Sequence, residues 1–337
     1  MKIVECSGTP RQIGGATGEA LREEIHQHIA WFPMRQWDTW QRRVPVFLKT
    51  LELHLPHVLE EMRSMAAGAD VPAEEILRLN LPLYPDELTP AAGCSNIVFA
   101  GGEDGPIWGK NNDGGEPHRP VCARLIRPAH GIPQVTFTFC GMIATTDGMN
   151  AEGVAVGHSS VGSIFQQSDH HVPIRLWAYD AMRKSRTVGD FVRLMTSTPL
   201  RGKGYSIVCV DREGMACSLE APCPLVQVRR PSASTGIHCV NCYQLPMLHE
   251  ADRRSAAGKR DAHGRWRFLD RVLTAERSFN LEHMQSLLRH HDGPGLCRHG
   301  EGEGTHTEYS MIGLPAQNRL LYLEGYPCEN EYAEILL

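Results

Sequence analysis

Cys94 stands between Gly93 and Ser95 at the start of a short apolar run, Ile97-Val98-Phe99. If the Gly93-Cys94 bond were cut, the thiol would share its residue with a new α-amine. That amine titrates near pH ~8, close enough to neutrality to take the thiol proton, so a single residue would supply nucleophile and general base. A Gly-Cys pair alone carries little weight, because a chain with 11 Cys and 32 Gly is expected to contain one by chance. The surroundings carry the argument. A second run, Ile107-Trp108-Gly109-Lys110-Asn111-Asn112-Asp113, follows the turn-forming stretch Gly101-Gly102-Glu103-Asp104-Gly105-Pro106. The two runs predict a β-hairpin that returns Asp113 to the side of Cys94.

The remaining elements must hold that hairpin. Residues 1–10 read as a strand and turn, and Ile13 to Trp40 repeats apolar residues at helical spacing. A second helix is predicted from Val44 to Ala67 with a break at Pro56. A third runs over 72–80 with Asp70 as its cap. Gly14, Gly15 and Gly18 fit either close helix packing or a phosphate-facing start. Leu81 to Ala92, with Pro82, Pro85 and Pro90, reads as extended and exposed, which suits a segment to be cut. Beyond Cys94 the pattern turns to strands at 121–127, 134–139 and 153–158. Helices follow at 174–184 and 188–195, strands at 205–210, 216–220 and 225–229, and helices at 251–277 and 281–290. A hairpin of 309–314 and 319–323 closes the chain. This order predicts a layered α+β domain with antiparallel sheets and no second independent domain.

Composition narrows the function. A net charge of −5 gives no global basic field, so nucleic acid is not an expected partner. No apolar run reaches bilayer length, the first six residues do not form a signal peptide, and Ile335-Leu336-Leu337 is no peroxisomal address; a cytoplasmic protein with no membrane partner is expected. The odd count of 11 Cys without a regular framework suits reduced thiols. His238, Cys239 and Cys242 have workable zinc spacing, but strand alternation would send His238 and Cys239 to opposite faces, so no metal is expected. The basic run from Arg253 to Arg271, which includes Arg254 and Arg265, could meet coenzyme A phosphates; interspersed acidic residues read instead as a solvated helix.

The chain resembles the acyl-CoA:6-aminopenicillanic acid acyltransferase family, a branch of the N-terminal nucleophile (Ntn) hydrolases. The matching residues run in family order: Cys6-Ser7-Gly8-Thr9-Pro10 with Ile13-Gly14 and Gly18, Gly93-Cys94-Ser95, Gly109-Lys110-Asn111-Asn112-Asp113, Gly148-Met149-Asn150-Ala151-Glu152-Gly153-Val154-Ala155-Val156, and Val240-Asn241. The resemblance implies an αββα four-layer sandwich, two antiparallel sheets between helical layers. It implies cleavage between Gly93 and Cys94, giving a helical α-chain (1–93) and a catalytic β-chain (94–337) within one Ntn domain. Cys94 would form an acyl-enzyme, Asp113 would hold the new amine, and Asn241 would donate to the oxyanion. Lys110, standing where relatives carry arginine, would join Asn111, Asn150 and His306 in substrate contact; Asn150 could also serve the oxyanion. Asp113, Asn150 and Asn241 could each instead be turn residues.

The implied activity is amide hydrolysis or N-acyl transfer, with a small-molecule acyl donor and an amine acceptor. No cofactor is expected, although acyl-CoA could serve as co-substrate. Nothing in the chain fixes an oligomeric state, and a homo-oligomer is compatible with it. Two other readings stay open: a family member that never matures and acts as a binding or structural protein, and a hydrolase pairing Cys94 with a separate histidine. The family's arginine before the last hairpin is missing. The comparable region carries Glu301, Glu303, His306 and Glu308, which would favour a cationic or neutral amine over a carboxylate-bearing one.

Overall fold

The computed structural model describes residues 1–84, 93–115, 119–231, 235–275, 279–300 and 304–337. Strand β1 (Lys2–Gly8) leads into helices α1 (Pro10–Ala20), α2 (Arg22–Trp31), α3 (Trp37–His54), α4 (Pro56–Ala69) and α5 (Ala73–Asn80). Strands β2 (Ser95–Phe99), β3 (Ile107–Gly114), β4 (Val121–Pro128), β5 (Gln134–Phe139), β6 (Asp147–Asn150) and β7 (Ala155–Ser160) follow. Next come β8 (Val172–Pro173), α6 (Ile174–Met182), α7 (Val188–Met195), β9 (Leu200–Arg201), β10 (Tyr205–Val210), β11 (Ala216–Ala221), β12 (Gln227–Arg229) and β13 (Gly236–Cys239). Helices α8 (Ala256–Ala275) and α9 (Leu281–Arg289) precede the last strands, β14 (His306–Leu314), β15 (Arg319–Glu324) and β16 (Ala333–Leu336).

The predicted first helix is broken where Phe32 precedes Pro33, since a residue before proline avoids the helical region; α3 restarts at Trp37. Pro56 opens α4 at its first turn, where its missing N–H costs nothing. Asp70 does not cap α5. It closes α4 in the left-handed region, at φ 58°, and Pro72 takes the position before α5. Two of the α1 glycines serve packing, while a Cβ on Gly15 would meet nothing within 4 Å. A Cβ on Gly14 would lie 2.2 Å from the Glu61 carbonyl oxygen, and one on Gly18 would lie 2.1 Å from that of Met65, so α1 and α4 touch backbone to backbone. Leu81, expected in an exposed segment, is fully buried, with its carbonyl accepting from Trp40 Nε1 at 2.9 Å; residues 85–92 lie outside the described residues.

Two sheets stack face to face. One orders as β1-β4-β5-β6-β7-β10-β11-β12 and the other as β13-β2-β3-β14-β15-β16. Neighbours within them are antiparallel except β1 and β4, which run parallel from Lys2 opposite Cys122 to Gly8 opposite Pro128. The short β8–β9 pair is also parallel. Strands β6, β13 and β16 escape the sequence reading because they are only four residues each.

Period-2 alternation builds three apolar layers. The outer face of the larger sheet packs Cys122, Val156, Ile207 and Leu219 against α1 to α7. Between the sheets, Phe137, Met149 and Val208 meet Val98, Trp108 and Met311. On the far side, Ile97, Phe99 and Ile312 meet Leu269, Met284 and Leu288 of α8 and α9. Each fully buried Leu, Ile or Phe contributes about 1.5–3 kcal/mol, so these layers fix the strand register. The result is the four-layer αββα sandwich.

Candidate active site

The hairpin register sets the site. Ser95 pairs with Asn111 and Asn96 with Lys110, so Cys94 falls beside Asn112 and Asp113. Its Sγ lies 3.6 Å from Asn112 Oδ1 and accepts from the Asp113 backbone N–H at 3.5 Å. Among the described residues no histidine bonds this sulfur, so the separate-histidine reading finds no partner here. Burial pushes the thiol pKa up, and the nearby Lys110 charge opposes that rise. The uncut chain therefore keeps the sulfur protonated.

Asp113 faces the Gly93-Cys94 junction. Its Oδ1 accepts from Thr307 Oγ1 at 2.8 Å, while Oδ2 is buried without a hydrogen-bond partner. A Cβ placed on Gly93 would lie 2.8 Å from that oxygen and 2.9 Å from Thr305 Oγ1, a second buried atom without a partner. A larger residue at position 93 has no room, and an ammonium formed here would give Oδ2 the partner it lacks. Burial raises the carboxyl pKa, which a cation at this point would reverse. Asp113→Asn is accordingly expected to fold but to mature slowly, with turnover down roughly 10²-fold or more. Intact mass over time and steady-state kinetics measure both effects; wild-type values for each would leave Asp113 a turn residue.

A buried arginine completes the junction. Arg265 Nη1 donates to the Cys94 carbonyl at 2.8 Å and to Ser95 Oγ at 3.0 Å. Its Nη2 donates to Asn241 Oδ1 at 3.0 Å and to Asp261 Oδ2 at 2.9 Å. Asn241 in turn gives its amide N–H to the Ser160 carbonyl at 2.7 Å, so that donor is engaged in the uncut chain. The solvated-helix reading fails at Arg265, which is fully buried, and at Arg254, also buried. The signal lay in Asp261 and Arg265, an i,i+4 pair facing the sheet from α8.

Lys110 belongs to a second buried group. Its Nζ lies 2.6 Å from Asp147 Oδ1, which also accepts from the His158 backbone N–H at 2.9 Å and lies 2.9 Å from His158 Nδ1. Burial works against the Asp147 carboxylate, but the His158 and Lys110 contacts outweigh it and hold the pKa far below the usual range. Burial pushes His158 down to about 4, so at neutral pH the group is an ammonium–carboxylate pair beside a neutral imidazole.

Three other sequence candidates sit elsewhere. Asn111 points to the opposite face of β3 and donates to the Leu288 and Leu296 carbonyls at 2.8 Å, tying α9 to the sheet. Asn150, at the far end of β6, donates to the Met182 and Ser185 carbonyls and closes the following turn. His306 Nδ1 lies 2.8 Å from Tyr326 Oη, and its neighbour Thr307 is the residue that reaches Asp113. The zinc-spaced residues diverge: His238 Nε2 lies 2.8 Å from Asp270 Oδ1 on the helix side, while Cys239 enters the core between the sheets.

Charge at this end of the sandwich departs from the sequence expectation. Glu301 and Glu303 lie outside the described residues. Glu308 lies within β14, buried, and accepts from Asn112 Nδ2 at 2.9 Å; burial pushes its carboxyl up to about 7. Arg119 interacts with it, and Arg175 and Lys203 lie near Arg119; none of the three has a carboxylate within 4.0 Å among the described residues. Arg119 lies over Phe139 at 5.0 Å and Phe32 at 5.1 Å, and Arg175 over Tyr205 at 5.5 Å with its buried Nε unbonded. Burial, with Arg175 and Arg119 nearby, pushes Lys203 down to about 7.

The two stacked, largely antiparallel sheets with helices on both outer faces have the Ntn-hydrolase fold. Two solved variants of the conjugated bile acid hydrolase from Clostridium perfringens superpose with TM-scores of 0.51 and 0.50, each at 12% identity over 72% of this chain and 92% of theirs. The Caenorhabditis elegans N-acylethanolamine-hydrolyzing acid amidase ortholog matches at 12% identity over 66% of this chain and 93% of its own, with a TM-score of 0.49. No protein-family profile matches the sequence.

Proposed function

We propose that the protein is an autoprocessing cysteine amidohydrolase or N-acyltransferase of the Ntn type. The observation that carries this is the unpartnered Asp113 carboxylate oxygen packed against Gly93 at the Gly93-Cys94 junction. Maturation begins when Cys94 Sγ attacks the Gly93 carbonyl carbon. The peptide C–N bond breaks as a thioester forms, the nitrogen takes a proton, and water hydrolyses the thioester to a Gly93 carboxylate and a free Cys94 thiol. In the mature site the α-amine accepts the thiol proton, the thiolate attacks an amide or thioester, and the leaving group departs protonated. Water or an amine then takes the acyl group from Cys94. Asn241 supplies the oxyanion donor once its amide leaves the Ser160 carbonyl, a contribution worth roughly 10²–10³ in rate.

Edman degradation of purified protein tests the first step. A chain beginning at Cys94 is expected, and a chain that stays whole, or begins elsewhere, overturns the mechanism.

The substrate class follows from Arg119, Arg175 and Lys203, which favour an anionic group on the substrate. This reverses the preference read from the acidic loop, because among the described residues Arg119 and Arg175 have no carboxylate within 4.0 Å, while Lys203 and Glu308, both at about 7, are each only partly charged. Carboxylate-bearing acyl amides are expected to beat their neutral isosteres in kcat/KM at low salt. Arg175→Leu should raise KM for the anionic substrate roughly 10-fold or more and leave the neutral one nearly unchanged. Equal turnover of both by wild type, or better turnover of a cationic analogue, rejects this substrate class while leaving the cleavage chemistry intact.

A further inference from the structure

A second set of chemical groups lies outside the Cys94 site. Cys297 and His299 precede β14, His291 follows α9, and Cys328 follows β15. The Cys297 and Cys328 sulfurs are 3.5 Å apart; His299 Nε2 lies 3.2 Å from Cys328 Sγ and 3.5 Å from Cys297 Sγ. One ligand atom each from His291, His299 and Cys328 fit within 4.8 Å of one another. Zinc bonds sulfur at about 2.3 Å and imidazole nitrogen at about 2.0–2.1 Å, so a tetrahedral S₂N₂ site holds its ligand atoms roughly 3.3–3.8 Å apart. The three measured spacings that involve sulfur fall in or beside that window. They are longer than an S–S bond of about 2.05 Å.

We propose that Cys297, His299, Cys328 and His291 form a structural zinc site. Supporting contacts aim the imidazoles. His291 Nδ1 lies 3.2 Å from the Arg289 carbonyl, which accepts its proton and leaves Nε2 for the metal. His299 Nδ1 lies 4.0 Å from Glu329 Oε1, a carboxylate behind the ligating imidazole, and its ring stacks on Tyr326 at 4.1 Å. Two thiolates and two imidazoles select zinc over hard cations. With four protein ligands the site is closed, so the ion braces structure.

What it braces is the approach to Asp113. Arg298, between two of the ligands, gives its backbone N–H to Thr307 Oγ1 at 2.9 Å and accepts from the Thr307 backbone N–H at 3.0 Å. Thr307 Oγ1 then donates to Asp113. Zinc would pin this loop to the β15 end and hold Thr307 in place. The site is not legible in the sequence because Cys328 joins the other ligands only through the closing hairpin.

The test measures metal in protein purified without a histidine tag, with reductant and without chelator. About one zinc per chain is expected. Exchange with Co²⁺ alone should give thiolate-to-cobalt charge transfer and tetrahedral d–d bands. Cys297→Ser and Cys328→Ser should each abolish the bands, Glu329→Gln should weaken zinc binding about 10-fold, and Cys242→Ala, outside the cluster, should keep one equivalent. Background metal with all thiols free, or a Cys297–Cys328 disulfide and no metal, overturns the proposal. If the cysteine variants fail to fold, the cobalt spectrum of the intact protein decides alone. None of these readouts depends on Cys94 cleavage.

Discussion

Cys94→Ala is expected to accumulate as one uncut chain whose turnover falls by roughly 10⁴-fold or more, because the variant loses the nucleophile for both cleavage and acyl transfer. Stability should change little. Cys94 is a small buried side chain whose sulfur makes only long contacts, 3.5–3.7 Å, so trimming it leaves a small void and no stranded charge. Cys94→Ser should fold equally well and cut more slowly, since a hydroxyl is the weaker nucleophile. Intact mass, N-terminal sequencing and turnover on one preparation separate these outcomes. Efficient cutting after Gly93 in the alanine variant would assign the cut to another protease, and wild-type turnover would remove Cys94 from the chemistry.

Lys110→Met should be the most damaging change away from the nucleophile. It strands the Asp147 carboxylate in a fully buried place, and breaking a buried ion pair from one side costs about 3–5 kcal/mol. Turnover should fall too, because Lys110 is the charge that favours the Cys94 thiolate. The loss has a pH signature. In the wild type His158 titrates at about 4, below its unfolded value, so its contribution is present above pH ~6.5 and fades as pH falls through about 4. Without Lys110, Asp147 attracts a proton to His158 and raises its folded pKa. The variant should then be closest to wild type at acidic pH and lose ground as pH rises, the opposite slope. Thermal unfolding from pH 5 to 8 reads this directly. Lys110→Met with Asp147→Leu should cost less than Lys110→Met alone; equal or greater loss would show that the pair does not act as a unit.

Local patterns carried much of this architecture. The β2–β3 hairpin, with its turn residues between two apolar runs, was legible at once, and α7 and β10 match their predicted spans residue for residue. The pairing of Cys94 with Asp113 follows from that hairpin alone. Alternation along β3 also held a lesson: Lys110 and Asn112 face the site, so Asn111 between them had to face α9. Long-range contacts were not legible. Asp147 and His158 reach Lys110 only when the sheets stack. Arg265 reads as one of many helix charges until α8 is placed over the junction, and Arg119, Arg175 and Lys203 come together from three separate segments. Asp70 failed for a different reason, since an aspartate near a helix end suits either a start or a left-handed stop.

The parallel pairing of β1 with β4 bears on what a cut at Gly93 would leave behind. Residues before the cut supply an edge strand of the larger sheet, bonded from Lys2 to Gly8, and the helices α1 to α5 that roof its outer face. Fully buried Ile13, Trp40 and Met62 would meet water if that piece left. The two products would therefore stay interlocked as unequal subunits, co-eluting under native conditions and parting only in denaturant. Once separated, the larger piece would keep only α6 and α7 over that face, so assembly should precede the cut.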